Sequence, residues 1–161
     1  MKGLFVPLLV TVVLLGTTAT SIQATDILVP SVHDEIYEAL QYARPDTDRV
    51  VVRTNGATYA PFTMKSGVPV IAATDTIPIV DAGAANYAVQ FINTDQLSVL
   101  RGFTIRGGAV AVVAMSGVGK IVDCDILSDG DATDYGIDHG GSAAVIDSCT
   151  VILDNTGVTS M

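Results

Sequence analysis

LSVLRGFTIRGG (97–108), IVDCDIL (121–127) and VIDSCTVIL (145–153) share one spacing. Leu100, Phe103 and Ile105 recur as Ile121, Cys124 and Ile126, and recur again as Ile146, Cys149 and Val151. Ahead of each set lies an alternating pair: Val89 and Phe91, then Val110 and Val112 at the same offset as the first recurrence, then Ile137 and His139. Apolar residues alternating with polar or small ones have the period of a β-strand, and a strand-bearing unit repeated along a chain in this way is the mark of a solenoid. One coil alone cannot bury its apolar residues or pair its own backbone, whereas stacked coils supply both neighbours. Phe103, Cys124 and Cys149 are therefore expected in one interior column, and Ile105, Ile126 and Val151 in another. Within each set two residues separate the first and second apolar positions, which fits a tight bend between strands.

Outward from the repeats, the second interval is longer than the first. The extra length falls in the polar stretch Ser128 to Asp134, where a longer loop costs little entropy. Upstream, Val50-Val51-Val52 reads as a buried strand, Asn55-Gly56 as a turn, and Val68 to Ala72 as a further strand. Ile77 to Val80 is a short strand that Pro78 confines to an edge or bend. Before these, Ser31 is placed to cap a helix over 32–43, with Asp34 and Glu35 near the positive end of its dipole. Val32, Ile36, Ala39, Leu40 and Ala43 share one face of that helix, which needs something to cover. The coils then span about 50–154, and the last of them has no second helix to close it. Exposed strand edges are normally covered, so the domain, residues 25–161, reads as incomplete at its C-terminal end. Further coils or a partner chain would cover that end.

Met1-Lys2 precedes an apolar run from Leu4 to Gly16, and then a polar stretch to Ile22-Gln23-Ala24. This is the pattern of a signal peptide over 1–24, since the run is shorter than a membrane-spanning helix requires. The reading implies a secreted or cell-surface protein with no membrane span in the mature chain. Eight basic residues against 17 acidic ones give a net charge of −9, a surface that repels nucleic acid and anionic lipid. Cys124 and Cys149 stack one strand apart. Strands roughly 4.8 Å apart do not bring Cβ atoms to the separation of about 3.8 Å that a disulfide prefers, so two buried thiols are the favoured reading.

With IYEALQYA (36–43), NGATY (55–59) and the three repeats in place, the chain resembles secreted right-handed parallel β-helix proteins of the pectin lyase-like group. The resemblance covers about 31–154. It implies an all-β fold, a right-handed parallel β-helix with an N-terminal capping α-helix. The group holds polysaccharide lyases, glycoside hydrolases, pectin methylesterases, uronate epimerases, adhesins and many members of unknown role. Its enzymes carry catalytic residues on outward strand positions of middle coils, and none of their motifs is reproduced here.

Alternation turns Thr104, Asp125 and Thr150 outward, with Arg101, Asp123 and Asp147 beside the bends. Carboxylates held close can bind calcium, so Asp123, Asp125 and Asp147 are the metal candidates, able to bridge an acidic sugar. Arg101 or Arg106 could serve as base or charge stabiliser. Asp138-His139 could act as a carboxylate-paired general base, although His139 aligned with Phe91 also reads as the end of an interior column. Asp129 to Asp134 looks like a calcium loop but departs from the EF-hand pattern at its sixth and twelfth positions. Gly117-Val118-Gly119-Lys120 lacks the Ser or Thr of a phosphate loop. Two functions follow. One is a non-catalytic segment that binds extracellular polysaccharide or a cell-surface component and requires no cofactor. The other is an enzyme on acidic polysaccharide that uses calcium.

Overall fold

The computed structural model describes residues 24–128, 135–140 and 143–153. The expected signal peptide, apart from Ala24, and the loop from Asp129 to Asp134 lie outside these residues. In chain order the elements are β1 (Thr25–Val29), α1 (Ile36–Tyr42), β2 (Asp48–Val52), β3 (Thr58–Tyr59), β4 (Phe62–Thr63), β5 (Val70–Ala72), β6 (Ile79–Asp81) and β7 (Tyr87–Phe91). They continue as β8 (Val99–Arg101), β9 (Thr104–Arg106), β10 (Ala111–Met115), β11 (Lys120–Val122), β12 (Asp125–Ser128), β13 (Tyr135–His139), β14 (Val145–Asp147) and β15 (Thr150–Leu153).

Each strand pairs in parallel with the equivalent strand one coil away. Sheet A is β1-β2-β5-β8-β11-β14, sheet B is β3-β6-β9-β12-β15, and sheet C is β4-β7-β10-β13. The chain is thus an all-β parallel solenoid, and its registers define the core. Sheet A sends Val50, Val70, Leu100 and Ile121 inward as one column, sheet B sends Tyr59, Val80, Ile105 and Ile126, and sheet C sends Phe62, Val89 and Val113. All of these are buried. Phe103 and Cys124 follow them into the interior at 1% exposure each, and Cys149 packs against the same core. The interior columns end abruptly in the last described rung. Ile146 and Val151 pair with Ile121 and Ile126, yet they are 43% and 45% exposed where their partners are 0%.

One expected register is wrong. Val89 and Phe91 pair with Val113 and Met115, not with Val110 and Val112, so at this level the repeat in sheet C is longer than the repeat in sheets A and B. Unequal connections cause the difference. Positions 92–98 join β7 to β8, whereas only 116–119 join β10 to β11. The shorter turn nests against the longer one below it and needs glycine there. A Cβ on Gly117 would stand 2.5 Å from the backbone nitrogen of Thr94, and one on Gly119 would stand 2.5 Å from Cδ1 of Phe91.

The helix also differs from expectation. It begins at Ile36 rather than Val32, Glu35 precedes it, and Ser31 does not cap it. The chain at 28–32 instead closes a turn in which the Val32 N–H donates to the Leu28 carbonyl at 2.9 Å. The Glu35 carboxylate accepts the Ala60 N–H at 3.1 Å. Ile36, Ala39 and Leu40 are buried, and α1 packs on β1, β2 and β4. The extended leader before it is β1, paired with β2 from Thr25↔Asp48 to Val29↔Val52.

Sheet A turns into sheet B through a single left-handed residue per coil: Gly102 at φ 82°, Asp123 at φ 51° and Ser148 at φ 53°. This is the bend that the spacing of the repeat anticipates. The ladder continues through it, since Gly102 N–H donates to the Val122 carbonyl and Asp123 N–H to the Asp147 carbonyl. At Gly102 a Cβ would also meet Ala72 Cβ at 3.0 Å. Gly102→Ala is therefore expected to lower the unfolding free energy by about 1–2 kcal/mol. Urea melts that leave the midpoint unmoved would contradict a tightly packed bend.

Candidate functional site

Residues between the interior columns face out, and on sheets A and B three arginines are tied to aspartates across rungs. Asp26 accepts from Arg49, its register partner. Arg106 Nε donates to Asp81 Oδ2 at 2.8 Å, again between register partners. Arg101 Nε donates to Asp123 Oδ2 at 2.9 Å. The Arg49 guanidinium holds the Asp26 carboxyl below the usual carboxylate range. For Asp81 the N–H of Gly83 does most of this, with Arg106 adding to it against partial burial. These faces are a lattice of exposed ion pairs, each worth little in stability.

The sequence candidates fall into this lattice. Arg101 is engaged with Asp123 and Arg106 with Asp81, so neither guanidinium is presented alone. Asp123 sits in the bend, at the position that Gly102 and Ser148 hold in the neighbouring coils. Asp147 lies on sheet A opposite Val122, and Asp125 lies on sheet B between Thr104 and Thr150. Among the described residues no group of three or more His, Cys, Asp or Glu side chains is placed to hold a metal ion. Asp138 and His139 are both exposed and adjacent in β13. Consecutive strand residues face opposite sides, so they do not form a carboxylate–histidine pair. Asp138 follows the outward column of Gln90 and Ala114, and His139 follows the column of Phe91 and Met115.

Cys124 and Cys149 are free thiols. Each donates to a backbone carbonyl, Cys124 to Val122 at 3.2 Å and Cys149 to Asp147 at 3.2 Å. Burial pushes the Cys124 thiol up to about 11, and Cys149 nearby adds to the effect. At neutral pH Cys124 is a protonated core residue, not a nucleophile.

The outer face of sheet C differs from the other two. Tyr87, Gln90, Ile92, Ser116 and Asp138 line a hollow of about 200 Å³, with Ala114, Met115 and Gly140 completing its lining. Gln90 Oε1 accepts the Thr63 hydroxyl at 3.2 Å, and its amide nitrogen has no partner among the described residues. Ser116 Oγ donates to the Phe91 carbonyl at 3.3 Å. Ile92 is 47% exposed and supplies an apolar wall. The hollow thus combines an amide donor, a carboxylate acceptor, a phenol and an apolar side, which suits a ligand rich in hydroxyl groups. Of its residues, only Asp138 stands out in the sequence. Tyr87, Gln90 and Ser116 come together through the longer sheet C register, which the change in loop length hides. In comparisons with protein-family models, curated proteins and solved structures, the chain matches none.

Proposed function

We propose that this chain is a secreted, non-catalytic segment of a right-handed parallel β-helix of the pectin lyase-like group, and that it binds extracellular glycan through the outer face of sheet C. The observation that carries this reading is the hollow around Tyr87, Gln90 and Asp138, whose donors and acceptor match sugar hydroxyls. In this reading residues 1–24 are a signal peptide. Helix α1 then serves as the N-terminal cap, and further coils or a partner chain cover the exposed rung of Ile146 and Val151.

The alternative reading is a calcium-dependent enzyme on acidic polysaccharide. It would place calcium on Asp123, Asp125 and Asp147 and use Arg101, Arg106 or the Asp138 and His139 side chains, but both arginines are already held by carboxylates.

One set of measurements separates the two. Mature protein is mixed with insoluble neutral polysaccharides and its depletion from solution is followed. Retention is expected, and Tyr87→Ala combined with Asp138→Ala is expected to lower it by roughly tenfold. In parallel, incubation with pectate or alginate, with calcium or with chelator, is expected to give no absorbance from new unsaturated ends. Undiminished retention of the double variant would refute the sheet C site, and calcium-dependent absorbance would establish the enzyme.

A further inference from the structure

Most of the lysine and arginine side chains among the described residues are engaged. Arg44 pairs with Asp48, Arg49 with Asp26, Arg101 with Asp123 and Arg106 with Asp81. Lys65 donates to the Ala43 and Gln41 carbonyls. Of the remaining two, Arg53 is exposed on the surface. Lys120 is half-buried, and no hydrogen-bond or ion-pair partner reaches its ammonium from any described residue.

The position of Lys120 is specific. It projects from the outward column of sheet A, between its register partners Val99 and Val145. There it lines a cleft of about 300 Å³, whose lining also includes the apolar Ala24, Leu97, Val99 and Pro69 and the polar Asp46, Thr47 and Gln96. Leu97 is 51% exposed, and Pro69 and Val99 are partly buried. Arg49 and Asp48 also reach this cleft, but each is neutralised by its own partner.

We propose that this cleft is a second binding site, distinct from the sheet C hollow, for a small monocarboxylate with an apolar body. The ammonium of Lys120 takes the carboxylate, while Leu97, Val99 and Pro69 take the apolar body. Lys120 offers its charge to an anion with no ion pair of its own to break, and this local attraction works against the general repulsion of a chain of net charge −9. Asp46 in the same cleft disfavours a second negative charge, so the site selects one carboxylate rather than a polyanion. Apolar neighbours on both rungs lower the local dielectric and strengthen the contact relative to open water. The site stands independently of the sheet C reading.

The test is a titration of the full ¹⁵N-labelled chain with sodium phenylacetate, with its neutral isostere phenylacetamide, and with sodium acetate. Saturable shifts at the Leu97, Val99 and Lys120 amides are expected with phenylacetate. Responses roughly tenfold weaker are expected with the amide, which lacks the charge, and with acetate, which lacks the apolar body. Lys120→Gln is expected to abolish the preference for phenylacetate over its amide, and Lys120→Arg to keep part of it. The amide makes the comparison on the unaltered protein, so a misfolded variant does not leave the matter open. Equal responses to the acid and its amide, or no response to phenylacetate, would overturn the proposal and mark Lys120 as a solvated strand residue. A response to acetate as strong as that to phenylacetate would overturn the role of the apolar wall. Shifts confined to Tyr87, Gln90 and Asp138 would overturn the cleft as the site.

Discussion

Phe91→Ala lowers the unfolding free energy by about 3–5 kcal/mol. Phe91 is fully buried and is the largest side chain of the sheet C column it shares with Met115. Its ring also fills the space left by the missing side chain of Gly119, whose Cβ would stand 2.5 Å from Cδ1 and 2.9 Å from Cε1. The two positions are therefore coupled. Gly119→Ala alone forces the ring out of place and costs about 1–3 kcal/mol. With Phe91 already reduced to alanine, the added methyl group enters the vacated volume and the same change is close to neutral. A double-mutant cycle from urea melts measures this directly, with a coupling of about 1–3 kcal/mol expected. Strictly additive losses would show that the turn at 116–119 does not rest on the ring.

Asp95→Ala is the polar counterpart. The Asp95 carboxylate accepts from Ser66 Oγ at 2.9 Å, from the N–H of Gly67 at 3.1 Å, from the N–H of Leu97 at 2.9 Å and from Ser98 Oγ at 3.3 Å. It thereby ties the loop before β8 to the loop below it, before β5. Burial works to raise its pKa, but the donors outweigh it, chiefly Ser66, Leu97 and Gly67, and the carboxyl is held below its usual value. Removing it leaves the Ser66 hydroxyl and the Leu97 N–H without this acceptor, while Gly67 N–H keeps Ser98 Oγ and Ser98 Oγ keeps the Lys65 carbonyl, at a cost of about 2 kcal/mol for a partly exposed charged group. The sign with pH follows. The folded form binds this proton less readily than the unfolded chain, so the contribution is present above the ordinary aspartate range near pH 4 and is lost as the pH falls through the depressed value. Asp26, Asp48 and Asp81 are shifted the same way, so acid destabilises the molecule as a whole. Asp95→Asn is expected to flatten part of the slope of stability against pH below about pH 4. A slope identical to that of the unaltered protein would show that Asp95 carries none of it.

The repeat was readable where connections keep their length. Between β8 and β9, and again between β11 and β12, the bend has the same length, so Leu100, Phe103 and Ile105 map onto Ile121, Cys124 and Ile126 without error. The sheet C register is hidden in the sequence because Gly117 and Gly119 permit a shorter turn than the one below, and Val110 and Val112 imitate the pattern that Val113 and Met115 fulfil. The helix start was misplaced for a different reason. Ser31 has the chemistry of a cap, but the chain at 28–32 is committed to a turn of its own. Charge chemistry was the least readable. Whether an outward arginine is free depends on its neighbour in the adjacent coil, and for Arg101, Arg106 and Arg49 that neighbour is an aspartate a full coil away along the chain. In the sequence Lys120 is only the last residue of an incomplete phosphate-loop pattern, and its lack of a partner among the described residues emerges once the sheets are assembled.

The exposure of Ile146 and Val151, beside the complete burial of Ile121 and Ile126, gives the stack a direction. Nearest-neighbour contacts carry most of the stability of a stack, so a rung with one neighbour is held about half as firmly as a rung with two. With that rung left uncovered, β13, β14 and β15 are expected to peel first, and the loss to travel toward the Val50 end like a column of coins toppling from its loose side. Amide protons at the two ends would then report different clocks, slow beside α1 and fast beside Val151.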